Sequence, residues 1–214
     1  MSTILGRSVQ HHPILGNVMR TRMRPRACNR LRLDDRAVAP EGSLNARLYL
    51  VGEAPGSQEA ETGRPFVGPV GAALRDMMHE AGIDVSRVRL ANAIPFRPVE
   101  RSPGGRVRNR RPTDKELRIY GQSVLVDIVK VQPKLIGALG RSAAMLFGSS
   151  IPVRRSRARI LQFQNMPVRF TYHPGFVLRF GGRGSPLSRS AVRDLKRFWN
   201  EAQHGRNTHA RGRS

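Results

Sequence analysis

Four short runs of apolar and β-branched residues divide the chain, and segments with helical periodicity separate them. The runs cover residues 47–52, 87–94, 134–139 and 167–172, and the longer helical patterns lie near 70–81, 114–131 and 187–202. Strands that alternate with helices form parallel sheets whose right-handed crossovers cover both faces. The pattern therefore predicts an α/β fold, a three-layer α/β/α sandwich with a central four-stranded parallel sheet.

Capping and turn residues indicate where two of these helices begin and end. Apolar residues of the 70–81 segment recur on one helical face, and Gly82 follows the last turn. Thr113 and Glu116 have the spacing of a capping box. We expect this box to open one long helix that continues to about Val131.

The two ends of the chain differ in composition from its middle. Residues 1–46 are polar, basic and interrupted by prolines, and residues 203–214 form a basic tail. We expect the N-terminal extension to wrap around the domain or to stay mobile until a partner is bound. One domain is predicted over residues 47–202. Within it, the arginine-rich stretch from Arg97 to Pro112 contains several glycines and prolines and is expected to be a loop.

The charge balance narrows the class of partner. The chain has 214 residues, with 38 basic against 15 acidic side chains, a formal net charge of +23 and a pI of about 11.9. Biased codon usage could account for arginine in place of lysine, but it does not account for the shortage of acids. Because each neutralised phosphate releases counterions, the excess favours a polyanion. Nucleic acid is the predicted partner, and a monomer is the expected state.

Cysteine content and hydropathy exclude several other classes of protein. The single cysteine, Cys28, leaves no internal disulfide and no metal site built from several thiolates. No apolar run is long enough to span a membrane. The arginine-rich start resembles a transit peptide, but the His11–Pro13 stretch interrupts any amphipathic helix. We therefore expect a protein of the bacterial cytoplasm or nucleoid that binds no metal.

Three polar residues stand where predicted strands end. Glu53 and Asn92 end the first two strands, and His173 follows the fourth. The carboxyl ends of parallel strands meet at one edge of the sheet, so these side chains should converge there. Each has an ordinary alternative, because Asn92 could cap a turn, His173 could be a turn residue before proline, and Glu53 could brace its loop.

Two loop motifs follow the first strand. They read Gly-Glu-Ala-Pro-Gly over residues 52–56 and Gly-Arg-Pro-Phe-Val-Gly over residues 63–68. Such a tight loop lets backbone N–H groups approach an anion or a flat ring. Phe66 adds one aromatic face. The candidate substrate-binding residues of this region are Gly52, Ala54, Pro55, Gly56 and Phe66.

These motifs, followed in order by Asn92 and by His-Pro-Gly-Phe-Val-Leu-Arg over residues 173–179, resemble those of the uracil-DNA glycosylase superfamily, most closely its family-4 branch. The resemblance covers about residues 47–200. It implies a DNA repair enzyme that flips uracil out of single- or double-stranded DNA and hydrolyses its N-glycosidic bond. The product would be DNA with an abasic site.

The resemblance implies a role for each residue of the predicted site. Phe66 would stack on the flipped base. The Asn92 amide, which is both donor and acceptor, would pair with uracil and mispair with cytosine. His173 would donate an N–H to the departing base, and a neutral ring suffices for this. Glu53 would orient the attacking water or stabilise the cationic sugar, and bracing of the loop is an equal alternative.

Other candidate residues are expected to contact the DNA around the flipped base rather than the base itself. Leu178 and its neighbours are expected to wedge into the duplex beside the flipped nucleotide, and the arginine-rich loop is expected to bind backbone phosphates. The predicted DNA-binding residues are Arg106, Arg108, Arg110, Arg111, Pro174, Gly175, Leu178 and Arg179.

One family feature is missing from the sequence. Family-4 enzymes bind an iron–sulfur cluster through four cysteines, whereas this sequence has one. Phe96 and Tyr120 stand where two of the cluster cysteines would be expected. We expect their aromatic bulk to fill the volume of the cluster, and we expect no cofactor.

Two further functions stay open at this point. One is a protein that binds uracil or abasic sites in DNA with weak or no turnover. The other is a glycosylase for another deaminated base, such as hypoxanthine or xanthine. An α/β hydrolase or a nucleotide-binding module is disfavoured, since the sequence has neither a nucleophile elbow nor a P-loop.

Overall fold

A computed structural model describes residues 31–204, which form two sheets and the helices that pack on them. The strands are β1 (Leu31–Ala37), β2 (Glu41–Gly42), β3 (Leu48–Gly52), β4 (Val88–Asn92), β5 (Phe96–Arg101), β6 (Val107–Asn109), β7 (Leu135–Leu139), β8 (Leu161–Phe163) and β9 (Met166–Thr171). The helices are α1 (Ser57–Thr62), α2 (Pro69–Glu80), α3 (Asp114–Tyr120), α4 (Gln122–Val131), α5 (Arg141–Leu146), α6 (Val153–Ser156), α7 (Pro174–Phe180) and α8 (Pro186–His204). None of them combines the length and apolar character that a membrane span requires.

The larger sheet is six-stranded and mixed, with the order β2-β4-β3-β7-β9-β8. Its four middle strands pair in parallel, and β2 and β8 pair antiparallel at the two edges. The prediction of a four-stranded, all-parallel sheet is therefore wrong in strand number. The two edge strands contain only two and three residues, which is too short to show a periodic pattern.

The larger sheet lies between two layers of helices. Leu48 and Leu50 of β3 pack in one apolar cluster with residues of α2 and α8. Tyr49 and Val51 point to the opposite face and pack with residues of α3, α4 and α5. All four side chains are fully buried, as expected for a central strand covered on both faces.

The predicted helix from residue 114 to 131 is two helices that meet at Gly121. The capping box at its start is present, since Thr113 and Glu116 each accept a hydrogen bond from the other's backbone N–H. At Gly121 a Cβ atom would lie 2.4 Å from the carbonyl oxygen of Leu117 and 2.5 Å from Leu146 of α5. The absence of a side chain thus permits the close contact with α5.

The arginine-rich stretch after Arg97 is a β-hairpin and not a loop. Strands β5 and β6 pair antiparallel around a turn in which Ser102 donates its N–H to the carbonyl oxygen of Arg106. Strand β1 pairs with the other edge of β5 and completes a three-stranded sheet. The predicted N-terminal extension therefore contributes β1 here and β2 to the larger sheet, while its residues 1–30 lie outside the described part of the chain.

Arg47 connects the start of β3 to the end of α8. Its guanidinium donates to the carbonyl oxygens of Ala202 and Gln203, at 3.0 and 2.8 Å. Carbonyl groups in the last turn of a helix lack intrahelical partners, so this arginine caps α8. The helix continues through His204, two residues past the predicted domain boundary, and the remaining tail residues are not described.

Candidate active site

The strand order places a cleft at the carboxyl edge of the larger sheet. From β3 the chain adds β4 on one side and later β7 on the other, so the order reverses beside β3. Ligands bind at such a reversal in open α/β sheets. A cleft of about 590 Å³ is lined there by Glu53 after β3, Gly140 after β7 and His173 after β9. Two of the three predicted strand-end residues therefore share one cleft.

His173 is the residue that begins α7, and its ring is held in one orientation. The backbone N–H of Gly175 donates to Nδ1 at 3.2 Å. Since Nδ1 accepts a hydrogen bond, the proton of the neutral ring lies on Nε2. Burial lowers the pKa of His173 below its usual value, and Arg111 acts in the same direction, although Glu53 partly opposes both. The ring is therefore a neutral N–H donor at neutral pH.

Glu53 is fixed by a residue that the sequence analysis did not single out. The hydroxyl of Ser142, which is buried at the start of α5, donates to Oε2 of Glu53 at 2.7 Å. No hydrogen bond from the described residues reaches the other carboxylate oxygen, Oε1. The carboxylate is thus oriented by one oxygen while the other stays available to a ligand or a water.

Phe66 and Asn92 meet at Gly52. A Cβ atom on Gly52 would lie 2.5 Å from Phe66 Cζ and 2.8 Å from Asn92 Oδ1. Both side chains are nearly buried, at 4% and 9% exposure, and neither is among the residues that line the cleft. Within residues 31–204 the Asn92 amide has no hydrogen-bond partner. The structure therefore brings an aromatic face and a free amide together beside the backbone of the first motif.

The backbone of Phe66 is strained. Its φ of 56° lies in the left-handed region, which is a genuine outlier for a bulky side chain. The carbonyl of Phe66 fits only because residue 71 is glycine, where a Cβ atom would lie 1.7 Å from that oxygen. Conformations of this kind cost about 1–3 kcal/mol and cluster at functional sites.

Glu59, a second residue that the sequence analysis missed, joins the two loop motifs. Its carboxylate accepts from the backbone N–H of Gly56 at 3.0 Å and from that of Gly68 at 2.8 Å. The N–H of Gly56 is therefore already bonded and is not available to an anion. Of the other predicted loop residues, Pro55 is buried and Ala54 packs against the core on the α3 and α4 face.

The predicted arginines differ in their surroundings. Arg111 and Arg179 are exposed and line the cleft. Arg110 lines it too, but its guanidinium pairs with Glu116 at 2.5 and 2.7 Å, so that it anchors the hairpin to α3. Arg106 and Arg108 lie on the exposed hairpin, and the cleft lining does not include them. Two arginines that were not predicted, Arg141 and Arg154, also line the cleft.

The segment after His173 forms α7. Pro174 is its buried first residue, and Gly175 supplies the N–H that orients His173. Leu178, the predicted wedge, is half-buried against the apolar cluster of α2 and α8 and does not line the cleft. Phe176 and Phe180 of the same helix line it instead.

Comparison with known proteins identifies the family of the chain. Residues 39–203 match the family model of the Uracil DNA glycosylase superfamily. The chain belongs to the uracil-DNA glycosylase superfamily. This confirms the family predicted from the sequence motifs.

Several curated relatives carry the name Type-4 uracil-DNA glycosylase. The relative from Thermotoga maritima is 33% identical over 163 residues, which cover 75% of this chain and 80% of that protein. The relative from Archaeoglobus fulgidus is 29% identical over 173 residues, which cover 77% and 83%. Among solved structures, Pedobacter heparinus SMUG2 aligns with a TM-score of 0.49 at 14% identity. The aligned region covers 74% of this chain and 75% of the SMUG2 chain.

The iron–sulfur cluster of family-4 uracil-DNA glycosylases does not fit this member. Such a cluster needs four thiolates, and Cys28, which lies outside the described residues, is the only cysteine in the sequence. Phe96 and Tyr120 contact each other edge to face, with ring centroids 5.3 Å apart. In the described part of the chain, no group of three or more histidines, cysteines or acidic residues could hold a metal ion.

Proposed function

We propose that this chain is a uracil-DNA glycosylase that hydrolyses the bond between uracil and deoxyribose and leaves an abasic site in DNA. The observation that carries the proposal is the placement of Glu53 and His173 in one arginine-lined cleft, within a fold of this family. A cleft with several cations suits a phosphate backbone. The name shared by the curated relatives supports uracil as the base.

Phe66, Asn92 and the backbone at Gly52 are proposed to form the uracil pocket. The amide of Asn92 has no partner among the described residues, so it can pair with N3–H and O4 of uracil. Cytosine presents the reverse donor and acceptor pattern on that edge, and each mispaired buried group costs about 1–3 kcal/mol. Since Phe66 and Asn92 touch the space beside Gly52, a base would enter by displacing the Phe66 ring, which then stacks on it.

Glu53 and His173 are proposed to carry the reaction. As the C1′–N1 bond breaks, its electron pair goes to uracil. The O2 atom of uracil gains negative charge and accepts a hydrogen bond from Nε2–H of neutral His173. Cationic character develops on the sugar, and water adds to C1′. Oε1 of Glu53 takes the proton of that water while Ser142 holds Oε2.

Arg111 and Arg179 would bind phosphates beside the flipped nucleotide, because both are exposed in the cleft. The same cations favour retention of the abasic product. We also propose a monomer of the bacterial cytoplasm, which size-exclusion chromatography and cell fractionation would test.

The deciding experiment is alkaline strand scission of a labelled oligonucleotide with one uracil, beside cytosine, hypoxanthine and thymine controls. After treatment with the wild type, alkali should cut only the uracil strand, and His173→Ala should lose roughly 100- to 1,000-fold in the rate of excision. Comparison of enzyme excess with multiple turnover shows how tightly the product is held. Binding of DNA without cleavage of any base would contradict the proposal and favour a lesion-binding protein.

A further inference from the structure

Three aromatic side chains form a continuous row along one wall of the cleft. Tyr172, Phe176 and Phe180 are four residues apart, and we name them the aromatic ladder. The rings of Tyr172 and Phe176 stack with centroids 5.8 Å apart at an angle of 19°, and those of Phe176 and Phe180 are 4.7 Å apart. The planes of the second pair are 43° apart, so the row is a stacked pair of rings followed by a third ring that is tilted against them.

One end of the aromatic ladder is fixed and the other is open. The guanidinium of Arg157 covers the Tyr172 ring at 4.7 Å from its centroid. Arg157 is itself held by Asp194 and Ser190 of α8. At the other end, Phe176 is 41% exposed and Phe180 is 65% exposed. Adjacent large aromatic side chains left in water point to a ligand that covers them.

The surroundings of the aromatic ladder favour a nucleic-acid ligand. Arg179 lies on the same helix between the two phenylalanines and lines the same cleft, as does Arg154 of α6. Flat apolar faces beside cations are the combination that binds single-stranded nucleic acid, with bases on the rings and phosphates on the arginines. An apolar protein partner would gain nothing from these charges.

We propose that the aromatic ladder stacks an unpaired base that neighbours the uracil, and that the enzyme therefore prefers single-stranded DNA. In a duplex both faces of a base are covered by its neighbours, so stacking on Phe180 would first require unstacking. In a single strand the face is free. The proposal rests on the proposed function for the uracil, but stacking itself requires no excision.

The test measures binding of a uracil-free single strand and of its duplex by fluorescence anisotropy. Phe180→Ala should weaken single-strand binding by roughly 5- to 150-fold and duplex binding by less than about twofold. Leu44→Ala is the matched control, because Leu44 is as exposed as Phe180, at 65%, and lies outside the cleft. It should change neither affinity.

Two further measurements keep the proposal open to refutation. Phe180→Leu retains apolar bulk without a flat ring and should lose most of the single-strand affinity, whereas full affinity would show that any apolar side chain suffices and overturn stacking. The salt dependence of binding should stay unchanged in the phenylalanine variants and become shallower in Arg179→Gln, which removes a phosphate contact.

The remaining outcomes separate the two proposals. If Phe180→Ala loses equal affinity for single strand and duplex, Phe180 is a duplex wedge. If it loses affinity for neither, the ladder binds a ligand other than DNA. Both outcomes overturn the inference. If the wild type fails to excise uracil while Phe180→Ala still weakens single-strand binding, the proposed function fails and the stacking proposal stands.

Discussion

Replacement of Glu59 by glutamine tests whether the two loop motifs act as one unit. The carboxylate of Glu59 accepts from the N–H groups of Gly56 and Gly68, which lie at the ends of the segment that carries Phe66. Glutamine keeps one acceptor oxygen, but its NH₂ group is a donor and cannot accept from the second N–H. One of these two backbone groups is then left without its partner in a region where Glu59 and Gly68 are buried.

The expected magnitude follows from the two bonds. A hydrogen bond to a charged acceptor contributes about 1.5–3 kcal/mol, and the remaining bond loses its charge assistance. We therefore expect Glu59→Gln to lower the free energy of unfolding by about 2–4 kcal/mol and the Tm by roughly 5–15 °C. Since Phe66 sits between the released ends, kcat/KM on uracil-containing DNA should fall at least tenfold, as small displacements of a binding residue do.

Calorimetry and single-turnover strand scission, both on the folded variant, provide the measurement. Glu61→Gln is the matched control on the same helix, because its side chain is exposed. It should change stability by less than about 0.5 kcal/mol and leave cleavage unchanged. If Glu59→Gln matched this control in both assays, the claim that Glu59 connects the motifs would be refuted.

Three further predictions concern Ser142, Asn92 and His173. Ser142→Ala should release Glu53 and lower kcat roughly tenfold with little change in KM. Ser142→Thr retains the hydroxyl and should recover part of the lost kcat. A rise in KM alone would contradict an orienting role. Asn92→Asp should lower the preference for uracil over cytosine or abolish cleavage, and an unaltered preference in strand scission would remove Asn92 from base recognition. Because burial holds the pKa of His173 below its usual value, kcat/KM should persist as pH falls through about 6.5 and decline only when the folded protein takes up the proton. The unfolded chain binds that proton at a higher pH than the folded protein does, so thermal stability should already decrease below about pH 6.5. This decrease should be absent in His173→Asn. Activity that increases on acidification would contradict a neutral donor.

The middle of the fold was predictable because buried parallel strands have a strong signature. Strand β3 has no exposed residue, so its sequence is a continuous apolar run that ends in a motif loop. Strands that alternate with helices run parallel, so their carboxyl ends lie at one edge of the sheet. That rule alone predicts that Glu53, Asn92 and His173 lie at this edge, but it does not predict that Asn92 stays outside the cleft that the other two line.

The pairings between distant residues were not predictable. Ser142 and Glu53 are 89 positions apart, and only the pairing of β3 with β7 brings them together. Arg110 resembles a free cation in the sequence, and its partner Glu116 was assigned only to a cap. The hairpin β5–β6 was missed because β6 has only three residues, all of them exposed, and so shows no apolar alternation. The aromatic ladder, by contrast, has a visible signal in the sequence, the four-residue spacing of its rings.

The capping of α8 by Arg47 determines from which side this protein can be attached to a surface. Arg47 precedes β3, so the end of α8 lies at the amino edge of the sheet, and Glu53 lies at the opposite end of that strand. A five-residue strand separates them by roughly 17 Å. A biotin or affinity tag placed after residue 204 should therefore hold the molecule on a sensor chip with its cleft facing the solution.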